Sequence, residues 1–185
     1  MNSSPTYPST VVKQWQMTVQ GKSYEVSTDK SLLDRNFINK AYSSPEMFWI
    51  HAMPLEELEV LIANSVMVGL YDVTSARTML GMARLVTDQL TFAFVTDVYV
   101  CPESRGLGLA RWITRCAKEV CMAFPHLHRV LLLVDLKVSD NVFARLERLS
   151  TTHHMANLCR HEGQLSCTGK NLVWRSAWGP RMLES

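Results

Sequence analysis

No apolar run approaches the roughly 18 residues that a membrane-crossing helix requires, and the opening MNSSPTYPST has neither the basic nor the apolar region of a secretory leader. Its Ser, Thr and Pro content predicts instead a flexible tail over residues 1–13, followed by a single domain over 14–185. Charge of one sign is also lacking. Nineteen Lys and Arg against seventeen Asp and Glu leave a net charge of +2, without the basic surplus of a nucleic-acid surface. The five cysteines, Cys101, Cys116, Cys121, Cys159 and Cys167, are odd in number and scattered, and form no CxxC pair. That opposes both a disulfide framework and a zinc site. The expectation is a cytoplasmic protein in reduced surroundings, with no metal, no nucleic-acid partner and no membrane partner. With 185 residues, 47% of them hydrophobic, the chain can bury one α/β core but not two.

Within the domain, Trp15–Thr18 and Tyr24–Ser27 alternate polar and apolar residues around Gln20-Gly21, the pattern of a hairpin. Asp29 or Ser31 then caps a helix with Leu33, Phe37 and Ala41 at helical spacing, ending near Ser43-Ser44-Pro45. Met47–Met53 reads as an aromatic-rich loop. Pro54 opens a second helix with Glu56 and Glu57 near its positive end and Leu55, Leu58, Leu61 and Ile62 as its apolar face. Val66–Tyr71, Met79–Val86 and Thr91–Cys101 read as three strands whose short connections make them antiparallel. Leu107–Ala123 is an amphipathic helix with Leu109, Ile113, Cys116 and Val120 on its buried stripe. Val130–Val134 is wholly apolar, as in a central strand, and lies parallel to the strand before that helix. A short helix over Val142–Leu149 follows. Met155–Cys159 and Leu172–Trp174 are the final strand candidates, with Arg160–Lys170 as a polar excursion between them.

The stretch Thr96-Asp97-Val98-Tyr99-Val100-Cys101-Pro102-Glu103-Ser104-Arg105-Gly106-Leu107-Gly108-Leu109-Ala110 carries the chemistry. A strand stops at a proline, a glycine turn follows, and a helix starts at once. Glycine lets a backbone approach a ligand with no Cβ between them. The free N–H groups of a first helical turn favour an anion, and Arg105 adds a charged donor. Read physically, this is a pyrophosphate cradle; glycines that serve only to make the turn are the plain alternative. A nicotinamide-binding turn fits poorly, because the spacing is not GxGxxG and no early strand leads into it.

Arg105-Gly106-Leu107-Gly108-Leu109-Ala110 matches the R/Q-x-x-G-x-G/A signature, and the segment TDVYVCPESRGLGLARWI resembles the fourth strand, turn and third helix of the GNAT superfamily of N-acetyltransferases. YEVSTDKSLLDRNFI, MPLEELEVLIANSVMVGLYD and LGMARLVTDQLTFAFVTDVYV extend the likeness to small single-domain microbial members, over about Tyr24–Leu149. The resemblance implies a mixed α/β (α+β) fold: a mostly antiparallel sheet, splayed between the family's fourth and fifth strands and flanked by helices. It implies acetyl-CoA as co-substrate and direct attack of an amine on the thioester. By position, the backbone groups of Val98, Tyr99 and Val100 take the pantetheine arm. Arg105, Gly106, Leu107, Gly108, Leu109 and Ala110 hold the pyrophosphate, and Asn141 and Phe143 stand beside the pantetheine.

The catalytic candidates are less constrained. Asp97, just before the cofactor stretch, is either the acceptor of the ammonium proton, a holder of a cationic substrate, or an ionised anchor for a neighbouring loop. His51 lies in the loop that lines the acceptor side in this family, where a base and an ordinary surface residue are both open readings. Phe48 and Trp49 shape an apolar acceptor pocket or belong to the core. Arg84, Thr87 and Asp88 read as structural. Phe143 stands where many members carry the tyrosine that protonates the leaving thiolate, and no tyrosine occurs after Tyr99; water, Ser139 or His153 would have to serve. The His153-His154 pair reads as surface, since neighbours on a strand face opposite ways. The chain is thus expected to acetylate a primary amine of a small molecule, with a homodimer admitted as its assembly. Protein or peptide N-acetylation and non-catalytic acyl-CoA binding are the rival readings.

Overall fold

Gln20 and Gly21 both take positive φ, 51° and 76°, which is the two-residue turn that joins β1 (Gln14–Val19) to β2 (Lys22–Ser27). The computed structural model describes residues 12–135, 165–167 and 170–178. Asn141 and Phe143 lie outside the described residues, as do Ser139, His153, His154, the helix expected over Val142–Leu149 and the strand expected over Met155–Cys159.

After the hairpin, Asp29 caps only a short 3-10 turn, Lys30–Leu32. The cap of the first α-helix, α1 (Arg35–Tyr42), is Asp34, whose carboxylate accepts the N–H groups of Asn36 and Phe37. This corrects the expected cap at Asp29 or Ser31 and rotates the buried face. Ile38, Ala41 and Tyr42 are buried, while Leu33 precedes the helix. A second 3-10 turn, Pro45–Met47, leads through Phe48–Met53 to α2 (Leu55–Ala63), which starts after Pro54 as expected. Its buried positions are Leu58 and Ile62. Leu55, expected on that face, is 59% exposed, so the buried stripe of α2 is the one that Leu58 and Ile62 define.

The remaining strands are β3 (Val66–Asp72), β4 (Thr78–Thr87), β5 (Phe92–Val100), β6 (Arg129–Asp135), β7 (Leu165–Cys167) and β8 (Lys170–Trp178). Between β5 and β6 runs α3 (Leu109–Cys121). Among the described residues the sheet order is β1-β2-β3-β4-β5-β6-β8-β7. Only the β5–β6 pair is parallel, joined through α3 by the crossover that a parallel pair needs. The strand expected at Leu172–Trp174 is part of β8. Leu165–Cys167, expected within a polar excursion, is β7, paired antiparallel to β8.

Two cores lie on opposite faces of this sheet. One packs Leu109, Trp112, Ile113, Cys116 and Val120 of α3 against Val26, Val68, Leu70, Leu85 and Val95. The other packs Ile38, Tyr42, Leu58 and Ile62 against Met67, Tyr71, Met79 and Met82. The second face carries α1 and α2, so their connecting loop is brought over the middle of β5.

Candidate active site

Along β5 the pairing changes on both sides at one point. Toward β4, Thr96 stands opposite Arg84 and Tyr99 opposite Met82, so that Asp97 and Val98 together face Ala83 alone. This is a β-bulge, and Asp97 at its centre has φ of 51°, a left-handed conformation that Asp tolerates better than most residues. Toward β6, the parallel ladder stops at Val95 and Leu132, although β6 continues to Asp135. From Thr96 onward the two strands part. Among the described residues, the β6-facing edge of Val98, Tyr99 and Val100 therefore has no strand across from it, while Tyr99 and Val100 still pair with β4.

The bulge is tied down by a polar cluster. Asp97 is buried, 1% exposed. Its Oδ1 accepts from the indole Nε1 of Trp49 at 3.0 Å and from Oγ1 of Thr96 at 3.0 Å. Its Oδ2 accepts from the hydroxyl of Tyr42 at 3.2 Å and from Nε of Arg84. Four donors occupy the roughly four lone-pair positions of a carboxylate. Burial, reinforced by the Asp97 charge, pushes the Tyr42 phenol above its ordinary range, so Tyr42 keeps its proton and donates. Trp49 remains 47% exposed and meets Phe48 edge to face, with centroids 5.1 Å apart and planes at 85°. His51, two residues on, is exposed and has no hydrogen-bond or ion-pair partner among the described residues.

At its end β5 turns into the glycine segment. Cys101 N–H donates to Leu80 O at 2.8 Å, and a 3-10 turn over Pro102–Ser104 follows. Gly106 and Gly108 have φ of 83° and 79°, and a Cβ on either would meet nothing within 4 Å. The glycines thus answer a backbone conformation with open space above it, not crowding. Gly108 is the N-cap of α3 and offers no side chain to the first turn. The first backbone bond of the helix runs from Trp112 N–H to Gly108 O at 3.1 Å, and the N–H groups of Gly106 through Arg111 have no acceptor among the described residues. Consecutive unpaired donors at the positive end of a helix form an anion site.

Arg105 is directed elsewhere than expected. Its Nε donates to Val100 O at 2.9 Å, and its Nη1 and Nη2 grip Glu46 at 2.8 and 2.5 Å. The guanidinium also lies 5.8 Å from the centroid of the Tyr99 ring. The opposite charge on the α1–α2 connection draws it back across the end of β5. The hydrogen bond from Arg105 holds the Glu46 carboxyl below its ordinary range, and Glu46 in turn raises Arg105.

An unpaired strand edge leading into a run of free N–H groups suits an extended ligand with amides at one end and an anion at the other. The sequence profile of the "Acetyltransferase (GNAT) family" matches residues 34–146, which include all of these elements. The chain belongs to the GNAT acetyltransferase family. A protein of Gibberella zeae named as an acetyltransferase is 35% identical over 130 residues, spanning 62% of this chain and 73% of that protein. A GNAT-family acetyltransferase structure from Xanthomonas campestris pv. campestris superposes with a TM-score of 0.57 at 27% identity, over 72% of this chain and 93% of that one. The spermidine/spermine N-acetyltransferase of Vibrio cholerae shares the fold alone, with a TM-score of 0.53 at 15% identity over 89% and 92% of the two chains. Membership assigns acyl transfer to this chain, and residues 105–110 lie within the matched stretch.

Of the residues singled out in the sequence, the fold brings Trp49, with Phe48 packed on it, to Asp97 on β5, and Val98 through Ala110 to the end of that strand; His51 is exposed two residues beyond Trp49. Leu109 is buried in the α3 core, so only its backbone N–H is available to a ligand. Tyr42, Glu46 and Arg84 complete the cluster and were not legible as site residues, because each meets its partner from 13 to 59 positions away.

Proposed function

We propose that this chain transfers the acetyl group of acetyl-CoA to the primary amine of a small molecule, by direct attack of the amine on the thioester. The observation that carries the reading is the row of unpaired N–H groups from Gly106 to Arg111, opening where β5 and β6 part. Bound there, acetyl-CoA supplies an electrophilic thioester at the end of a pantetheine arm. The free N–H groups from Gly106 to Arg111 hold its pyrophosphate, while the N–H of Arg105 is taken by Pro102 O at 3.2 Å. The backbone edge of Val98, Tyr99 and Val100, where the Val100 carbonyl also accepts from Arg105 Nε, takes the pantetheine amides, which would set the thioester beside Asp97.

On the acceptor side, Phe48 and Trp49 form the wall. Asp97, with four donors around it, acts as a positioning residue: it keeps the bulge open and fixes the indole. His51, exposed on the same loop and otherwise unpaired, takes the ammonium proton, the task for which an imidazole is suited near neutral pH. Among the described residues no helix is long and apolar enough to cross a membrane. The free thiols of Cys101, Cys116 and Cys121 suit the cytoplasm.

Calorimetric titration with acetyl-CoA, followed by thiol release across a panel of primary amines, tests this. Micromolar binding and amine-dependent release are expected. His51→Ala should lower kcat by about tenfold or more, leave the KM for acetyl-CoA unchanged, and recover as rising pH supplies free amine. Binding without release on any amine would make the chain an acyl-CoA-binding module. Failure to bind acetyl-CoA at all would remove the basis of the assignment.

A further inference from the structure

We infer that the acceptor is an amine carried on an apolar, preferably aromatic body with no second cationic group, and that Trp49 determines this preference. The inference rests on the transferase reading above and narrows its acceptor. It starts from the charges on the acceptor face of β5. Asp97 is the carboxylate nearest the point where the strands part, and both of its oxygens are already occupied, with Arg84 neutralising its charge. Glu46, at the end of the same strand, is held in both oxygens by Arg105. Neither anion is left to receive a polycation, and a second ammonium group brought against Arg84 and Arg105 would meet repulsion rather than a partner.

What the same face offers is aromatic surface. Trp49 is held at its edge by the Asp97 carboxylate, yet nearly half of it remains exposed. An indole pinned by its N–H and still nearly half exposed loses little entropy when a flat apolar group packs on it. Phe48 buttresses it edge to face, and Tyr99, two residues along the strand from Asp97, stands edge to face with Phe37 at 6.2 Å.

Beneath this wall the core is soft. Met47, Met67, Met79 and Met82 are buried in the cluster on this face, with Met53 packed at its margin, whereas the cluster under α3 holds no buried methionine among the described residues. Methionine repacks with little strain around shapes of different size. A rigid aromatic wall over a yielding floor admits a series of apolar amines rather than one fitted molecule.

The test uses 2-phenylethylamine, n-hexylamine and spermidine, each titrated calorimetrically into the CoA-saturated protein and each assayed for thiol release with acetyl-CoA. Phenylethylamine is expected to bind and react at least about tenfold better than spermidine, with hexylamine between them. Trp49→Ala should raise the KM for phenylethylamine about tenfold and leave the KM for acetyl-CoA unchanged, while Trp49→Phe keeps most of the preference. Equal or tighter binding of spermidine, no amine binding at all, or a Trp49→Ala variant with the native ratio would each overturn the inference. The two readings fail separately. Amine binding in the expected order without thiol release defeats the transferase reading and leaves the ligand class; thiol release in the opposite order does the reverse.

Discussion

Arg84 donates through Nε into the Asp97 carboxylate across the β4–β5 bulge, and the two side chains are only 16% and 0% exposed. An ion pair this deep is costly to break by half, because the survivor is left charged and dry. Arg84→Gln should therefore destabilise the protein by about 3–5 kcal/mol, and Asp97→Asn by a similar amount. The double variant should be less destabilised than the sum of the two. Urea unfolding of the four proteins measures this, and strict additivity would show that the pair does not hold the bulge.

Gly106 and Gly108 permit a second experiment in which stability and binding come apart. Each has a left-handed backbone with free space where a Cβ would go. Gly108→Ala should accordingly cost about 1–2 kcal/mol of stability from backbone strain alone. If the turn cradles a pyrophosphate, the affinity for acetyl-CoA should fall by more than that strain accounts for, since the added methyl group stands where the ligand approaches. Thermal unfolding and calorimetry on the same samples separate the two losses. A variant that loses stability but keeps native affinity would return the glycines to mere turn-making.

How far the sequence could be read depended on whether a feature is local. The Cys101–Ala110 turn is a matter of consecutive residues: a strand stop, positive φ at two glycines and an uncapped helix start are all written within ten positions. The strands Val66–Asp72, Thr78–Thr87 and Phe92–Val100 were legible for the same reason, through alternation and short connections. The first cap was missed because Asp29, Ser31 and Asp34 are all competent, and the choice of Asp34 follows from which face of α1 reaches the sheet. The Asp97 cluster had no local signal. Trp49, Tyr42 and Arg84 converge on it only because the bulge turns one side chain toward α1.

Arg105 presents a competition. Glu46 now holds the guanidinium that the sequence pattern assigns to a pyrophosphate, and both partners are more than a third exposed. Such a pair contributes at most about 1 kcal/mol. Glu46→Gln should release Arg105 and tighten acetyl-CoA binding by up to about fivefold, more at low ionic strength than at high. The pH dependence has a definite sign. Because Glu46 has a depressed pKa in the folded protein, the pair is intact above the ordinary carboxyl value and is lost as pH falls through the lowered one. An Arg105→Gln variant that binds as tightly as the native chain would show that the backbone alone serves the anion.

Cys116 and Cys121 face the α3 core, both 0% exposed, and burial pushes their thiols up to about 12. The folded state therefore keeps these protons at a pH where the unfolded chain, with thiols near 9, releases them. Their contribution to stability is complete below pH 9 and declines as pH rises from there toward 12. The same burial removes the thiolate that alkylation requires. In a variant with the other three cysteines replaced by serine, iodoacetamide at pH 8 should leave the native protein unlabelled and modify both thiols once urea unfolds it. Labelling at equal rates in the two states would mean that α3 opens readily, and with it the helix start on which the anion site depends.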